Sequence, residues 1–214
     1  LLLLLGVFLP LQIFGELAEE VWKNEGGFPW DIPILLEIRA TATPQLDTFA
    51  SYLTQLGVGW GVVPASVVIA LVLWRRHQWR SLVYFLTTLI GTAIINVAAK
   101  LLLHRVRPNL WESPAPEYDY GFPSGHAMSS MTFVVALVIL LWGSRWTWLV
   151  ASLGGLFVLA IGWTRLYLGV HYPSDIVAGW LASIAWAVGV ALLIKPRLVQ
   201  RSPASDRPDS ETHI

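Results

Sequence analysis

The sequence predicts an all-α integral membrane protein, a bundle of six transmembrane helices. Of its 214 residues, 55% are hydrophobic and only 13% are charged, whereas about a quarter of the residues in a soluble domain are charged. The apolar residues are gathered into six stretches, each near the roughly 20 residues that cross a bilayer. The formal net charge is zero, so we expect no nucleic-acid surface. Cysteine is absent, which excludes disulfides and thiol chemistry.

The predicted organisation is one membrane domain, residues 1–200, followed by a polar tail, residues 201–214. The tail is rich in Ser, Pro, Asp and Arg, and we expect it to be disordered and cytoplasmic. Leu1 lies inside an apolar run, so we expect the first helix to be truncated at its N-terminus. The predicted spans are, in chain order, about 1–17, 50–74, 81–103, 126–142, 147–168 and 175–194.

Two features mark the first half of the chain. Residues 18–47 combine acidic residues with Trp22, Trp30 and an apolar run, so this segment can lie flat on the outer leaflet as an amphipathic cover. The second span is interrupted by glycines at 57, 59 and 61 and by a proline at 64. Small residues of this kind allow close helix packing, and a functional kink is the alternative.

Basic residues in the short loops predict the orientation of the spans. The connections 75–80 and 142–146 and the residues after the last span contain arginine and lysine, whereas residues 18–47 contain only two basic residues. Cytoplasmic loops are enriched in Lys and Arg. We therefore expect a multi-pass protein of the cytoplasmic membrane with both termini cytoplasmic. The loops 18–47 and 104–125 would then face the periplasm or the exterior.

The third span ends in basic residues. Lys100 lies near its end, and Arg107-Pro108 follows. Seven residues make about two helical turns, so the two cations share one face if the helix continues to Pro108. An unpaired basic residue at the membrane centre costs roughly 2.5–3.5 kcal/mol, which favours a function for the pair. Snorkelling of both side chains to lipid headgroups is the alternative.

The fourth span begins after a turn that presents a histidine. Pro123-Ser124-Gly125-His126 precedes an apolar helix, and a helix N-terminus offers unpaired N–H groups and a partial positive charge to an anion. A histidine beside such a site indicates acid–base chemistry on a group such as phosphate. Helix capping by the Ser and Gly residues is the simpler alternative.

The junction of the last two spans contains three more polar residues. Arg165 lies inside an apolar run, and Pro173 suits the first turn of a new helix. His171 then precedes that helix and Asp175 lies one turn into it. A carboxylate at this spacing can accept the ring N–H and orient the histidine as a base or nucleophile. A capping aspartate beside a surface histidine is the alternative.

The three clusters fall at the outer ends of their spans, and together they resemble the three-part signature of the type 2 phosphatidic acid phosphatase superfamily. This family comprises integral-membrane lipid phosphatases, with vanadium haloperoxidases and soluble acid phosphatases as relatives. The resemblance extends from about residue 50 to 194. One departure is visible: Thr164 stands where the family usually has a serine before the arginine of the third motif, here Arg165. The matching residues are Lys100-x6-Arg107-Pro108, Pro123-Ser124-Gly125-His126 and Arg165-x5-His171-x3-Asp175.

The resemblance implies a role for each matching residue. His171 would attack phosphorus to form a phosphohistidine, and Asp175 would hold its imidazole. His126 would protonate the leaving oxygen and then activate water. Three basic side chains would neutralise the phosphate charge, so neither a metal nor another cofactor is expected. The phosphate-binding residues would be Lys100, Arg107, Arg165, Ser124 and the backbone N–H of Gly125.

Residues between the motifs receive no catalytic role from the sequence. Arg105 is interpreted as a headgroup contact, and His104 as a bystander. Asp175 is the only acid inside the motifs, while Glu117 and Asp119 lie in the loop between them.

The resulting hypothesis is a membrane lipid phosphatase whose substrate enters from the bilayer. Candidate substrates are phosphatidic acid, phosphatidylglycerophosphate, diacylglycerol pyrophosphate and undecaprenyl pyrophosphate. The alternatives are a lipid phosphotransferase that uses the same phosphohistidine and a non-catalytic membrane protein that binds or transports lipid. The expected partners are the lipid phosphate and membrane lipids, with no obligatory protein partner and no nucleic acid.

Overall fold

The computed structural model describes residues 1–23 and 27–196, and over these ranges the secondary structure is helical with no strand. The all-α prediction is confirmed for this part of the chain. The predicted tail, residues 201–214, lies outside it. A π-helical turn, Leu4–Phe8, leads into the first helix. The α-helices are α1 (Leu9–Lys23), α2 (Asp31–Arg39), α3 (Pro44–Gln55), α4 (Val62–Arg75), α5 (Trp79–Leu103), α6 (Gly125–Leu140), α7 (Thr147–Tyr167) and α8 (Pro173–Ile194).

Three helices within the described ranges, α5, α7 and α8, are long and apolar enough to cross a membrane. They correspond to the predicted third, fifth and sixth spans, with ends that differ by at most two residues. The helices α4 and α6 are apolar but shorter. Long apolar runs therefore predicted these helices well, because length and composition alone define them.

The predicted second span, 50–74, is wrong as a single helix. Residues 56–61 form turns that separate α3 from α4. A Cβ on Gly61 would lie 2.2 Å from the carbonyl oxygen of the residue five positions earlier, so only glycine lets the chain fold back this closely. A Cβ on Gly57 would lie 2.8 Å from the side chain of Ile161 in α7. The glycines thus break the helix and also allow close packing.

The helix α8 packs against α1, α5 and α6, and α6 packs against α7. Contacts between α5 and its neighbours are close: a Cβ on Gly91 would lie 2.3 Å from the Trp186 ring of α8. The indole N–H of Trp186 donates to the carbonyl of Thr88 at 3.0 Å. The hydroxyls of Thr92 and Thr132 lie 2.9 Å apart and join α5 to α6. Small residues and satisfied polar groups therefore hold the long helices together.

Residues 27–61, the described part of the chain between α1 and α4, cover one end of the bundle. Helix α2 contacts α7 and α8, and α3 contacts α7. Asp31 and Leu35 of α2 are completely buried. Arg39 and Asp47, 2.8 Å apart, join α2 to α3, and Asp47 accepts a hydrogen bond from the Tyr167 hydroxyl at 2.8 Å. The region predicted as an amphipathic cover is therefore packed onto the ends of α7 and α8.

The helix directions place the motif residues at that same end of the bundle. Helices α5 and α7 end there, and α6 and α8 begin there. The basic connections around residues 76–78 and 141–146 lie at the opposite end. Helix α5 ends at Leu103, and His104 adopts a left-handed conformation with φ of 48°. The helix therefore does not continue to Pro108, which was the condition for Lys100 and Arg107 to share one helix face.

Candidate active site

Three segments of the chain meet where α5 and α7 end and α6 and α8 begin. Arg107, in the loop after α5, places Nη1 3.0 Å from Nε2 of His171. Lys100 and Arg107 both bind the carboxylate of Asp119. The two cations meet because the chain turns after Leu103, and not because they share a helix face as the spacing suggested.

His171 and Asp175 form a buried pair at the start of α8. Nδ1 of His171 lies 3.3 Å from Oδ2 of Asp175, and both side chains are completely buried. The backbone N–H of Tyr172 donates to the same carboxylate oxygen at 2.8 Å. Asp175 therefore caps the helix and faces the imidazole at once. With Nδ1 on the carboxylate, Nε2 is directed at the cations.

The environment of His171 favours the neutral imidazole. Burial lowers its pKa well below the ordinary value, and the nearby charges of Arg107, Arg165 and Lys100 lower it further. Nε2 has Arg107 at 3.0 Å and a carboxylate oxygen of Glu117 at 3.8 Å. A neutral imidazole whose Nδ1 carries the proton presents an unprotonated Nε2, which is the form that a nucleophile requires.

Glu117, from the loop after α5, stands in the middle of the cluster. Its carboxylate lies 2.7 Å from Nη2 of Arg107 and also binds Arg165. It is 3.8 Å from ring nitrogens of both His126 and His171. Burial would raise the pKa of Glu117, but the charges of Arg165 and Arg107 outweigh it and hold the pKa below its ordinary value. An anionic group is therefore already stabilised between these cations.

Asp119 is a second carboxylate held by the cations, in this case by Lys100 and Arg107. Burial would raise its pKa, but hydrogen bonds from Lys100 and Arg107 hold the pKa below the ordinary value. Sequence reasoning left Glu117 and Asp119 in the loop without a role. Their spacing from the motifs carries no signal, because carboxylates in a cluster of cations look the same in sequence as solvated loop acids.

The N-terminus of α6 supplies the second motif. Ser124 is buried and its hydroxyl accepts from the backbone N–H of Ala127 at 3.5 Å, so it caps the helix. Its own N–H donates to the carbonyl of Asp175 at 3.1 Å, which fastens α6 to α8. Gly125 opens the helix, and His126 in the first turn lies beside Glu117. In this structure the Ser124 hydroxyl therefore caps the helix, which is what the capping alternative predicted.

Arg165 is anchored on two sides. Its Nη1 donates to the hydroxyl of Thr54 in α3 at 2.8 Å, and its Nη2 binds Glu117. The arginine is 1% exposed, so it is not a lipid headgroup contact. Thr164, which departs from the family pattern, directs its hydroxyl to the carbonyl of Ile161 at 2.6 Å within α7. Thr54 was not predicted, because the sequence placed it inside a membrane span.

The interpretation of Arg105 as a headgroup contact is wrong. Arg105 is 3% exposed. Its guanidinium binds Asp175 and also the hydroxyl of Ser174, at 2.7 Å, and Asp31, at 2.8 Å. The turn after α5 directs this side chain into the protein. His104 instead stacks edge-on against Tyr120, with ring centroids 4.6 Å apart.

This arrangement can bind a multiply charged anion and act on it. Lys100, Arg107 and Arg165 supply positive charge, and two histidines stand beside them, one of them held by a carboxylate. Guanidinium groups suit phosphate geometry because their N–H donors match its oxygens in pairs. Within residues 1–23 and 27–196, no group of three or more histidine and acidic side chains is arranged to hold a metal ion.

Comparison with known proteins identifies the family. The sequence profile of the PAP2 superfamily matches residues 81–198. An undecaprenyl-diphosphatase from Sulfolobus acidocaldarius is 30% identical over 182 residues, which are 84% of each chain. A lipid A 4'-phosphatase from Bacteroides thetaiotaomicron is 32% identical over 164 residues, 70% of each chain.

A solved structure shares the fold. The PAP2-type phosphatidylglycerolphosphate phosphatase of Bacillus subtilis superposes with a TM-score of 0.76 at 24% identity, covering 87% of this chain and 94% of the other. The family resemblance drawn from the three motifs is confirmed. The chain therefore belongs to the PAP2 superfamily and, like these relatives, is a phosphatase.

Proposed function

We propose that this protein hydrolyses the phosphate monoester or pyrophosphate of membrane lipids through a phosphohistidine formed on His171. The observation that carries the proposal is the position of the His171 imidazole. Nδ1 faces Asp175 at 3.3 Å, while Nε2 lies 3.0 Å from Arg107 at the edge of the cation cluster. A phosphoryl group bound by these cations would meet the unprotonated nitrogen directly.

The proposed reaction proceeds in two displacements. Nε2 of His171 attacks phosphorus, the bond from phosphorus to the lipid oxygen breaks, and His126 gives a proton to the leaving oxygen. His126 then takes a proton from water as the water attacks the phosphohistidine, which releases phosphate and restores the imidazole. Lys100, Arg107 and Arg165 neutralise the phosphoryl oxygens in both transition states. The N–H of Gly125 at the start of α6 adds a further donor, since helix N-termini favour anions.

A groove between α4, α5 and α6 supports a lipid substrate. Its volume is about 830 Å³ and apolar side chains line most of it. Lys100, His126 and Glu117 lie at one end of the groove. A lipid whose acyl or prenyl chain occupies the groove would therefore have its phosphate beside His126, the proposed general acid. The relatives that act on undecaprenyl diphosphate, lipid A and phosphatidylglycerolphosphate agree with this substrate class. The candidates remain phosphatidic acid, phosphatidylglycerophosphate, diacylglycerol pyrophosphate and undecaprenyl pyrophosphate.

We further propose six membrane spans, cytoplasmic termini and a site on the outer face of the cytoplasmic membrane. The basic connections lie at the end of the bundle opposite the site, as the enrichment of Lys and Arg in cytoplasmic loops requires. The first span would consist of α1 and the π-helical turn before it. Helices α3 and α4 would together replace the single second span.

The test is phosphate release from the four candidate lipids by purified protein in detergent with EDTA present. We expect release from at least one lipid, inhibition by vanadate, which mimics pentacoordinate phosphorus, and loss of turnover by at least 10³-fold in His171→Ala. His104→Ala, next to the motif but outside the cluster, serves as the matched control and should retain activity. Wild-type turnover in His171→Ala would refute the assignment of His171 as the nucleophile. Transfer of the phosphoryl group only to an added alcohol, and not to water, would identify a phosphotransferase.

A further inference from the structure

A second ion pair lies behind the proposed catalytic residues and is completely buried. Asp31 and Arg105 have side chains with no exposed surface and lie 2.8 Å apart. Two charges removed from water carry a large desolvation cost unless each is fully hydrogen-bonded. Asp31 lies outside residues 81–198, which match the family profile. A buried pair of this cost therefore needs an explanation in its contacts.

The contacts of Arg105 run directly to the carboxylate that holds His171. Nη1 of Arg105 binds Oδ1 of Asp175 and donates to the Ser174 hydroxyl at 2.7 Å. The other oxygen, Oδ2, is thereby left for Nδ1 of His171 and for the N–H of Tyr172. Arg105 thus sets the rotation of the carboxylate, and the carboxylate sets the rotation of the imidazole.

Asp31 holds the other side of the guanidinium. Its Oδ2 accepts from Nη2 of Arg105 at 2.8 Å and from the Ser174 hydroxyl at 2.6 Å. Its Oδ1 accepts from the N–H of Ser174 at 2.9 Å. With both terminal nitrogens bound, the planar guanidinium cannot rotate. The ring of Tyr172 lies on one face of it, 4.4 Å from Cζ.

The neighbouring backbone is shaped around this pair. Gly27 has a φ of 79°, and a Cβ there would lie 2.5 Å from Nη2 of Arg105 and 3.0 Å from Oδ2 of Asp31. The N–H of Phe28 also donates to Oδ2 of Asp31 at 3.1 Å. Glycine is therefore required for the segment before α2 to close over the ion pair.

From these contacts we infer that Asp31 and Arg105 are positioning residues, which hold Asp175 and through it fix His171 with its proton on Nδ1. The inference rests on the proposed function, because it assigns His171 the attack on phosphorus. It adds that the first residue of α2 completes a chain of contacts that runs from Asp31 through Arg105 and Asp175 to His171.

The kinetic test compares Arg105→Gln with the double variant Asp31→Asn/Arg105→Gln. The single variant leaves the two buried carboxylates of Asp31 and Asp175 without the cation between them, so their repulsion displaces Asp175 from His171. We expect kcat to fall about 10- to 100-fold, as when other outer partners of a functional histidine are removed, with KM changed less than about twofold. The double variant removes the competing carboxylate and should regain part of the lost kcat.

A purely structural role predicts the opposite order, because the double variant loses more native contacts than the single one. Equal or lower kcat in the double variant, or wild-type kcat in Arg105→Gln, would overturn the inference. Asp47→Asn is the matched control, since it removes a carboxylate that pairs with an arginine at the same end of the bundle; its kcat should stay at the wild-type value. If Arg105→Gln is not recovered folded, Asp31→Asn replaces it: a severalfold loss of kcat supports the inference and wild-type kcat overturns it.

A spectroscopic readout separates this inference from the proposed function. Imidazole ¹⁵N chemical shifts, assigned to His171 by comparison with His171→Gln, should show the Nδ1–H tautomer in the wild type and a mixture in Arg105→Gln. An unchanged single tautomer would overturn the positioning role. This measurement needs no turnover. The proposed function is refuted if the wild type releases no phosphate or if His171→Ala turns over normally. In either case the tautomer measurement still decides the role of Asp31 and Arg105.

Discussion

Charge holds the individual site residues in place. Glu117 lies between Arg107 and Arg165, 2.7 Å from the former, and neutralises guanidinium groups that the proposed phosphoryl group must also contact. Substrate and carboxylate therefore compete for the same donors. The exposed fraction of the Glu117 side chain is 27%, so water can reach it.

Glu117→Gln should lower stability in a pH-dependent way. The folded-state pKa of Glu117 lies below the ordinary 4.5, so its ionised form stabilises the folded protein above pH 4.5, and this contribution is lost as the pH falls through the folded-state pKa. We expect the wild type to be more stable than Glu117→Gln by about 1–3 kcal/mol at pH 7. The difference should shrink below pH 4.5.

Thermal unfolding in detergent at pH 7 and at pH 3–4 measures this difference. Glu112→Gln, an exposed acid of the same loop, is the control and should match the wild type at each pH. A stability difference for Glu117→Gln that is independent of pH would contradict the ion-pair explanation.

His171 should remain unprotonated and reactive below pH 6.5. Burial and the charges of Arg107 and Arg165 lower its pKa well below 6.5, so protonation removes the proposed nucleophile only at a pH below that value. The acid limb of kcat/KM should therefore lie below pH 6.5. Removing one positive charge, in Arg107→Gln, should move that limb to higher pH.

The control for this pH profile is Arg39→Gln, which removes an arginine that pairs with Asp47. Its acid limb should coincide with that of the wild type. All variants are assayed with one substrate, so the ionisation of the substrate cancels in the comparison. An acid limb that stays in place in Arg107→Gln would contradict the electrostatic cause.

At the scale of helices, the site depends on close contact between α5 and α8. Lys100 lies in the last turn of α5, and Asp175 lies in the first turn of α8. Gly91 and the Trp186 ring meet at the centre of this contact, where an added Cβ would lie 2.3 Å from the indole. The indole N–H is bonded to the carbonyl of Thr88, so the ring cannot move without losing that bond.

Gly91→Ala should destabilise the protein by about 1–3 kcal/mol, because the methyl group overpacks the interface. Thermal unfolding in detergent measures the loss. Gly155→Ala is the matched control in α7, where no atom outside the helix backbone lies within 4 Å of the added Cβ, and its effect should stay within about 0.5 kcal/mol. Equal stability of the two variants would show that the indole adjusts freely.

For the whole molecule, the surface of the long helices is that of a membrane protein. Helix α7 exposes 58–65% of Leu153, Leu156 and Leu159, a degree of apolar exposure that soluble proteins avoid over so large a patch. Five of the exposed tryptophans lie at the end of the bundle opposite the site, as interfacial aromatic residues do. They are Trp74, Trp79, Trp142, Trp146 and Trp148.

Cysteine labelling tests the proposed orientation without background, since the chain contains no cysteine. Tyr118→Cys, at a position 94% exposed beside the site, should react with a membrane-impermeant maleimide in intact cells. Arg76→Cys, exposed in the connection at the opposite end, should react only after permeabilisation. The reverse pattern would place the site on the cytoplasmic side.

The sequence alone determined the class of the protein, its long helices and the residue types of its chemistry. Apolar runs identify α5, α7 and α8 because crossing a bilayer requires length and composition and nothing more. The three motifs identified the family because histidine, carboxylate and basic side chains at those spacings serve little purpose on a lipid-facing helix.

Only the tertiary structure decided which residues meet. Periodicity shows which face of a helix is apolar, but contacts between distant segments depend on how the chain turns after each helix. The turn after Leu103 directs Arg105 inward to Asp31, the loop returns Glu117 to the cations, and the glycines at 57 and 61 divide α3 from α4. These contacts join residues far apart in the chain, and their free energy arises from charge and packing that no local pattern records.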